Sequence, residues 1–200
     1  NFGGLVFPIG DGEAAPFSAS LDVVGSVSAK TGLSCNALML TRHPERHVNA
    51  CAAAGCAAMT ISLEDAAHPH RILTRIKESG MSAGIALNPA TSLVALEYLL
   101  DKADIVCLLG VEPWSADDAK AAPALIERVK MLSENIRYRE LRTDIMLYGG
   151  LSIHITGKAI AAGASRVVLD RQLMEETGQK SFVDAANMCF TLLHEALEKT

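Results

Sequence analysis

The 200-residue chain lacks the sequence features of several protein classes. It has no basic block, and its formal net charge of -5 argues against nucleic acid or an anionic membrane as the main partner. No apolar run reaches membrane-spanning length, and the first residues lack the charged region of a secretory signal. The five cysteines form no CxxC pair, which favours reduced thiols. We therefore expect a cytoplasmic protein that binds neither nucleic acid nor membrane.

Apolar strand-like runs alternate with helical patterns along the whole chain. Half of the residues are hydrophobic, enough for one sizeable core, so we expect a single domain over residues 1–200. The patterns predict strands near Gly4–Ile9, Ser34–Leu40, Ala57–Ser62, Ser82–Leu87, Ile105–Leu109, Asp144–Tyr148 and Arg166–Leu169. They predict helices near Ser20–Thr31, Pro44–Ala54, Pro69–Ser79, Ser92–Lys102, Pro123–Arg137, His154–Ala162 and Phe182–Lys199. Strict alternation implies a parallel sheet with right-handed crossovers.

Seven strand-helix units are one short of a closed (β/α)8 TIM barrel. The barrel interpretation therefore needs an eighth unit, which we expect upstream of Asn1, so the first βα unit would be missing from this chain. An open doubly wound sheet is the alternative. No GxGxxG or GxxxxGK[ST] motif follows any predicted strand, so the nucleotide-binding forms of that sheet lack support.

Several segments resemble one family. The run AGIALNPATSLVALEYLL, from Ala83 to Leu100, resembles the strand-loop-helix of ribulose-phosphate 3-epimerases. LTRHPERHVNACAAAGC, MTISLEDAAHPHRIL and DIMLYGGLSIHITGKAIAAGASRVVL are also similar to that family, and Asp11-Gly12 matches its DGHFVP motif. The resemblance runs from the family's second strand onward. It implies a TIM barrel of the ribulose-phosphate-binding type and an isomerase, a 3-epimerase of pentose phosphate metabolism.

The resemblance also implies a metal site, and this chain departs from it. The family holds a divalent metal (Zn, Fe, Mn or Co) through two histidines and two aspartates, and the aspartates act as acid and base. The alignment puts Val6 at one histidine, Ala37 at the other, and Pro8 and Tyr148 at the aspartates. A tyrosine titrates near 10, so Tyr148 is a poor base. We therefore predict no metal, no catalytic residue at these positions, and impaired or lost metal-dependent epimerisation.

The family's phosphate site is altered as well. Its PGFGGQ loop becomes PWSADD, which places Trp114 and two carboxylates where glycines allow close approach of a phosphate. Its GS after the last strand becomes Asp170-Arg171. Gly149 and Gly150 survive, and Arg171 can clamp a phosphate. The resemblance thus leaves Gly149, Gly150 and Arg171 as candidate phosphate-binding residues for a sugar-phosphate ligand.

Other chemistry has weaker support in the sequence. Carboxylates follow four predicted strands and could hold a relocated cation, although solvated rim residues explain them better: Asp11, Glu64, Glu112 and Asp170. Cys35 shares the side-chain parity of Ala37 and could point into the barrel mouth, while Trp114 and Tyr148 could form an apolar lid there. Two functions remain open: a diverged sugar-phosphate enzyme, and a non-catalytic paralogue that binds a ligand or a subunit. Family members often associate, so a homo-oligomer is compatible with both.

Overall fold

The computed structural model describes residues 3–10, 19–113 and 120–198. Its contacts divide the chain into two compact units. Unit 1 comprises Asn1–Leu87 with Val94–Val106, and unit 2 comprises Asn88–Leu93 with Cys107–Thr200. The single domain over residues 1–200 stays a prediction. Over the same described ranges, helix length and hydropathy nowhere reach what a membrane-spanning segment needs.

Seven strands lie among the described residues and follow one another in chain order across one sheet. They are β1 (Leu5–Gly10), β2 (Cys35–Leu40), β3 (Ala58–Ser62), β4 (Ser82–Leu87), β5 (Ile105–Leu109), β6 (Asp144–Tyr148) and β7 (Arg166–Val167). Pairing is parallel between β1 and β2, β2 and β3, β3 and β4, and β6 and β7. The predicted parallel sheet with alternating helices is confirmed. The eighth unit, and its place upstream of Asn1, stay predictions.

Six of the seven α-helices of the described residues overlap predicted helices, whereas the short Arg171–Glu175 helix was not predicted. The seven are α1 (Leu21–Thr31), α2 (Val48–Ala53), α3 (Pro69–Glu78), α4 (Leu125–Tyr138), α5 (Ile153–Ala161), α6 (Arg171–Glu175) and α7 (Phe182–Glu198). Local sequence sets their ends. The Ser20 hydroxyl accepts a hydrogen bond from the backbone N–H of Val23 to begin α1, and Gly32 ends it in the left-handed conformation.

The helix predicted over Ser92–Lys102 is wrong in type. The structure has two 3-10 turns there, Leu93–Leu96 and Leu100–Lys102. Leu96 and Leu99 are both buried, and their backbone groups are bonded three residues apart at 2.9 Å. Leucines spaced by three residues align on one side of a helix with three residues per turn. In a leucine-rich stretch this pattern cannot be told from the 3.6-residue period by counting.

The register between strands decides which side chains share a face in unit 1. Residues paired side by side on parallel strands point the same way, and neighbours along a strand point oppositely. Thr60 pairs with Leu38 and with Gly84. One face, called face A here, therefore carries Val6, Pro8, Asn36, Leu38, Ala58, Thr60, Ser62, Ser82, Gly84 and Ala86.

Face A contains a buried polar contact that a glycine makes possible. The Thr60 hydroxyl donates a hydrogen bond to Asn36 Oδ1 at 3.2 Å, and both residues are buried. A Cβ added at Gly84 would overlap the Thr60 side chain, with Thr60 Cβ at 2.9 Å. The glycine thus gives the Thr60 hydroxyl the space it occupies. This contact joins β2, β3 and β4 at one level of the sheet.

We expect Gly84→Ala to lower the free energy of unfolding by about 1–3 kcal/mol, the usual cost of an extra methyl group in a packed core. Thr60 cannot move away without leaving Asn36, so the strain is not relieved cheaply. Urea unfolding followed by circular dichroism measures the change. Gly3→Ala is the matched control, because nothing lies near a Cβ there, and it should stay within about 0.5 kcal/mol of the parent. Equal stability of the two variants would contradict the packing argument.

Candidate functional site

Three of the family's metal-binding positions fall on β1 and β2. Val6 and Pro8 of β1 are half-buried and pair with Asn36 and Leu38 of β2. Ala37 pairs with Phe7 and so points to the opposite face. The residue that accompanies Val6 and Pro8 on face A is therefore Leu38, and the position assigned to Ala37 is corrected to Leu38. Like alanine, leucine has no atom that can bind a metal or move a proton.

The same register corrects the placement of Cys35. Cys35 and Ala37 share a face, as predicted, but this face meets the helices instead of the mouth. The thiol of Cys35 lies against Ser28 of α1 and close to Cys56. Burial raises the pKa of the Cys35 thiol, which makes it a weaker nucleophile. The sequence of β2 does not reveal which face is which, because every residue from Cys35 to Leu40 except Asn36 is nonpolar and all six are buried.

Face A carries neutral polar groups beside these apolar residues. Asn36 and Thr60 are bonded to each other, and the buried Ser62 hydroxyl donates to Glu64 Oε2 at 3.0 Å. Glu64 follows β3 by two residues, so it lies at the carboxyl end of the strand, and it is exposed. These groups can donate and accept hydrogen bonds to a polar ligand. Asn36, Leu38, Thr60 and Ser62 carry no charge, so they offer a divalent cation little.

In unit 2, Tyr148 is the last residue of β6 and stands at the position that the resemblance assigns to the family's other aspartate. Burial raises the pKa of the Tyr148 phenol, and the nearby Asp170 carboxylate and Cys107 thiol raise it further. Burial also raises the pKa of Cys107 to about 12. Both groups are therefore protonated at neutral pH. Tyr148 can donate a hydrogen bond, and its raised pKa makes it a poor base at neutral pH.

Gly149 and Gly150 form a turn that backbone hydrogen bonds hold in place. Both have positive φ, 87° and 66°, which glycine adopts without strain. The N–H of Ala121 donates to Gly150 O at 2.8 Å, and the N–H of Gly110 donates to Tyr148 O at 2.9 Å. A Cβ at Gly110 would overlap the carbonyl oxygen of Gly149. The positive φ values thus favour glycine at positions 149 and 150 whether or not a phosphate binds.

Asp170 and Arg171 begin α6. The Asp170 carboxylate accepts a hydrogen bond from the N–H of Leu173 at 2.9 Å and caps the helix. Burial raises the pKa of Asp170, while its backbone hydrogen bonds oppose the shift. The Arg171 side chain is 65% exposed and lies 3.7 Å from Glu175. A phosphate bound to Arg171 would be repelled by the carboxylate of the adjacent Asp170, which weakens the predicted phosphate binding.

Some of the remaining candidates are not described by the structure. Asp11, Trp114 and the rest of the PWSADD segment after Pro113 lie outside the described residues, so the lid of Trp114 and Tyr148 stays a prediction. Glu112 is exposed. Across the described part of the chain, no three His, Cys, Asp or Glu side chains come together as a metal site requires. Of the described residues, Val6, Pro8 and Leu38 offer no atom that fits the family's divalent metal.

Arg128 is a residue that the sequence interpretation missed. It lies on α4 and is 9% exposed, and it donates to the carbonyl oxygens of Pro89 at 3.0 Å and Thr91 at 2.9 Å. These carbonyls belong to the NPAT loop that follows β4. An arginine three residues after the buried Leu125 of an amphipathic helix was the available signal. Arg128 thus fixes a loop at the carboxyl end of the sheet.

The comparisons with known proteins agree with the sequence resemblance. A model of the ribulose-phosphate 3 epimerase family matches residues 17–174. The ribulose-phosphate 3-epimerase of Aquifex aeolicus is 30% identical over 166 residues, 82% of this chain and 74% of that protein. That of Escherichia coli strain K12 is 29% identical over 146 residues, 73% of this chain and 64% of that protein. The matches thus span from about two thirds to three quarters of these relatives' length.

Solved structures show the same fold at low identity. KGPDC from Streptococcus mutans superposes with a TM-score of 0.67 at 14% identity, covering 94% of this chain and 85% of that one. A tryptophan synthase alpha-subunit variant from Pyrococcus furiosus gives 0.60 at 12% identity, covering 99% of this chain and 98% of that one. At such identities the likeness establishes the architecture alone, which is TIM-barrel-like.

We expect Asp170→Asn to stabilise the protein at neutral pH. A raised pKa means that the folded state holds the proton more tightly, so ionising Asp170 lowers stability above the ordinary carboxyl pKa. Asparagine keeps the cap and removes the charge. The gain in urea midpoint should therefore shrink as the pH falls through the carboxyl range. Asp22→Asn, at an acidic position in the first turn of α1, is the control and should give no gain.

The same substitution gives a second readout. Removing the Asp170 charge should lower the pKa of Tyr148, because that charge helps to raise it. Spectrophotometric titration in a Tyr98→Phe, Tyr138→Phe background leaves Tyr148 as the sole tyrosine of the chain. An unchanged titration curve would mean that Asp170 and Tyr148 are not neighbours.

Proposed function

Because the chain belongs to the ribulose-phosphate 3-epimerase family, we propose that it is a diverged member in which metal-dependent epimerisation of pentose phosphates is lost or strongly impaired. For the fold, we propose an eight-unit barrel in which this chain supplies the second strand onward. Seven strands in sequential order and the family membership support it.

The observation that carries the proposal is the set of side chains on face A of β1 and β2. Epimerisation removes a proton next to a carbonyl and returns it from the other side, which requires two acid-base groups. A metal ion would stabilise the charge of the enediolate formed between these steps. Val6, Pro8 and Leu38 supply neither ligand nor acid-base group. In unit 2, Tyr148 keeps its proton at neutral pH.

We expect the full-length protein to convert D-ribulose 5-phosphate at least about 10⁴-fold more slowly than the Escherichia coli relative assayed beside it. One acid-base group is typically worth 10²–10⁴-fold, and this chain lacks both of the family's groups. The assay is run with Mn²⁺, Fe²⁺, Co²⁺ and Zn²⁺ in turn. Tyr148→Phe is the control and should leave any residual rate unchanged. Metal-dependent turnover near that of the relative would overturn the proposal.

The framework itself should still accept a metal when ligands are returned to face A. We expect Val6→His, Pro8→Asp, Leu38→His to bind Zn²⁺ in equilibrium dialysis, because the register places all three on one face. The matched variant carries Ala37→His instead of Leu38→His. It should bind at least about tenfold more weakly, since losing even an outer-shell partner costs that much. With circular dichroism confirming that both fold, equal affinities would contradict the register.

A non-catalytic paralogue that binds a ligand or a subunit is the second candidate. The kept Gly149-Gly150 turn favours a sugar-phosphate ligand, because the resemblance places these two glycines at the family's phosphate site. Asp170 opposes it by placing a carboxylate there. A thermal shift with ribulose 5-phosphate in a protein that does not turn it over separates this candidate from a protein without any phosphate site. Self-association belongs to the same candidate and is tested by sedimentation.

A further inference from the structure

Two cysteines of unit 1 lie at the end of α2 in one hydrogen-bonded motif. The N–H of Cys56 donates to the carbonyl oxygen of Cys51 at 3.1 Å, and the N–H of Gly55 donates to that of Ala52 at 3.0 Å. Gly55 has φ 73°, the left-handed conformation. This is a Schellman motif, in which the residues at the two positions held by Cys51 and Cys56 commonly make a hydrophobic contact. The backbone thus brings two thiols together.

The two thiols differ in exposure and in acidity. Cys51 is fully buried, whereas Cys56 is 6% exposed. The Cys51 thiol lies beside the Cys56 thiol and lowers the pKa of Cys56, while its own pKa is raised. Cys56 therefore ionises first, with a donor beside its sulfur. The more exposed thiol is also the more nucleophilic one.

The other cysteines have different surroundings. Cys35 lies near Cys56, but burial raises its pKa and its thiol bonds the carbonyl oxygen of Leu33 at 3.5 Å. Cys107 and Cys189, in unit 2, are buried, and burial raises the pKa of each. Cys51 and Cys56 are therefore the best-placed pair to react with each other.

We propose that Cys51 and Cys56 are a modification site, a dithiol that hydrogen peroxide converts into a disulfide. The Cys56 thiolate attacks one peroxide oxygen, the O–O bond breaks, and the leaving hydroxide takes a proton to form water. The sulfur of Cys51 then attacks the resulting sulfenic acid, the S–O bond breaks, and the second hydroxide takes the proton of Cys51. Both sulfurs are oxidised, and the peroxide is reduced to two water molecules.

The site is separate from the proposed epimerase chemistry. Cys56 precedes β3, so it lies at the amino end of the strand, whereas catalysis in barrels of this kind uses the carboxyl ends. The loop closed by the disulfide is short and contains Gly55. Oxidation of the two thiols therefore constrains the connection between α2 and β3. Because the loop is short, the disulfide removes little conformational entropy from the unfolded chain. The outcome of the epimerase assay leaves the proposal unaffected.

The experiment treats the reduced full-length protein with hydrogen peroxide and measures the intact mass, followed by peptide mapping without reduction. We expect a mass lower by two hydrogen atoms, a link between Cys51 and Cys56, and full reversal by dithiothreitol. Oxygen adducts without a link, a link from Cys56 to Cys35, or no reaction would each overturn the proposal.

Variants make the order of steps testable. Cys51→Ala should stop at a sulfenic acid on Cys56 that a 1,3-dione reagent traps, because the second thiol is gone. Cys35→Ala is the matched control and should still form the link. Circular dichroism on each variant confirms that the fold is kept. Trapping of the sulfenic acid on Cys51 in a Cys56→Ala variant, at the rate seen for Cys56 in Cys51→Ala, would contradict the assigned roles.

Discussion

The parallel register between β1 and β2 is the constraint on which the rest of this structure depends. Side chains alternate across a sheet, so shifting a strand by one residue moves every side chain to the other face. The observed pairing of Pro8 with Leu38 places Leu38, and not Ala37, beside the family's metal position. The same pairing turns Cys35 toward α1. One geometric relation thus decides which residues could take part in chemistry and which only pack.

The sequence allowed the order of the elements to be predicted because apolar runs and their caps are local features. It could not give the faces of β2, since a strand buried on both sides is apolar at nearly every position and loses its alternation. It also could not separate a 3-10 turn from an α-helix where leucines recur, as at Leu96 and Leu99. The chemistry of Val6 and Pro8 needed no structure, because valine and proline side chains carry neither a metal ligand nor an acid-base group in any register.

The loss of the family's ligands as a set, which we propose for this chain, has a physical reason. Two carboxylates in a half-buried face are tolerated when a cation neutralises them, but without it each adds a desolvation penalty and repels the other. Once one ligand is gone, apolar or neutral polar residues at the remaining positions stabilise the fold. Face A shows such residues, with Leu38 beside the bonded pair of Asn36 and Thr60. A site of this kind is therefore expected to be replaced as a whole.

Motifs that survive this replacement are explained by packing as well as by function. Gly149 and Gly150 match the family, yet their positive φ values favour glycine at both positions without any ligand. At the adjacent family position Asp170 has taken the helix cap, and its charge acts against an anion and on Tyr148 alike. The glycine pair is thus weak support for phosphate binding, whereas the negative charge of Asp170 argues against it. The charge of Asp170, more than the kept glycines, therefore leads us to expect weak phosphate binding here.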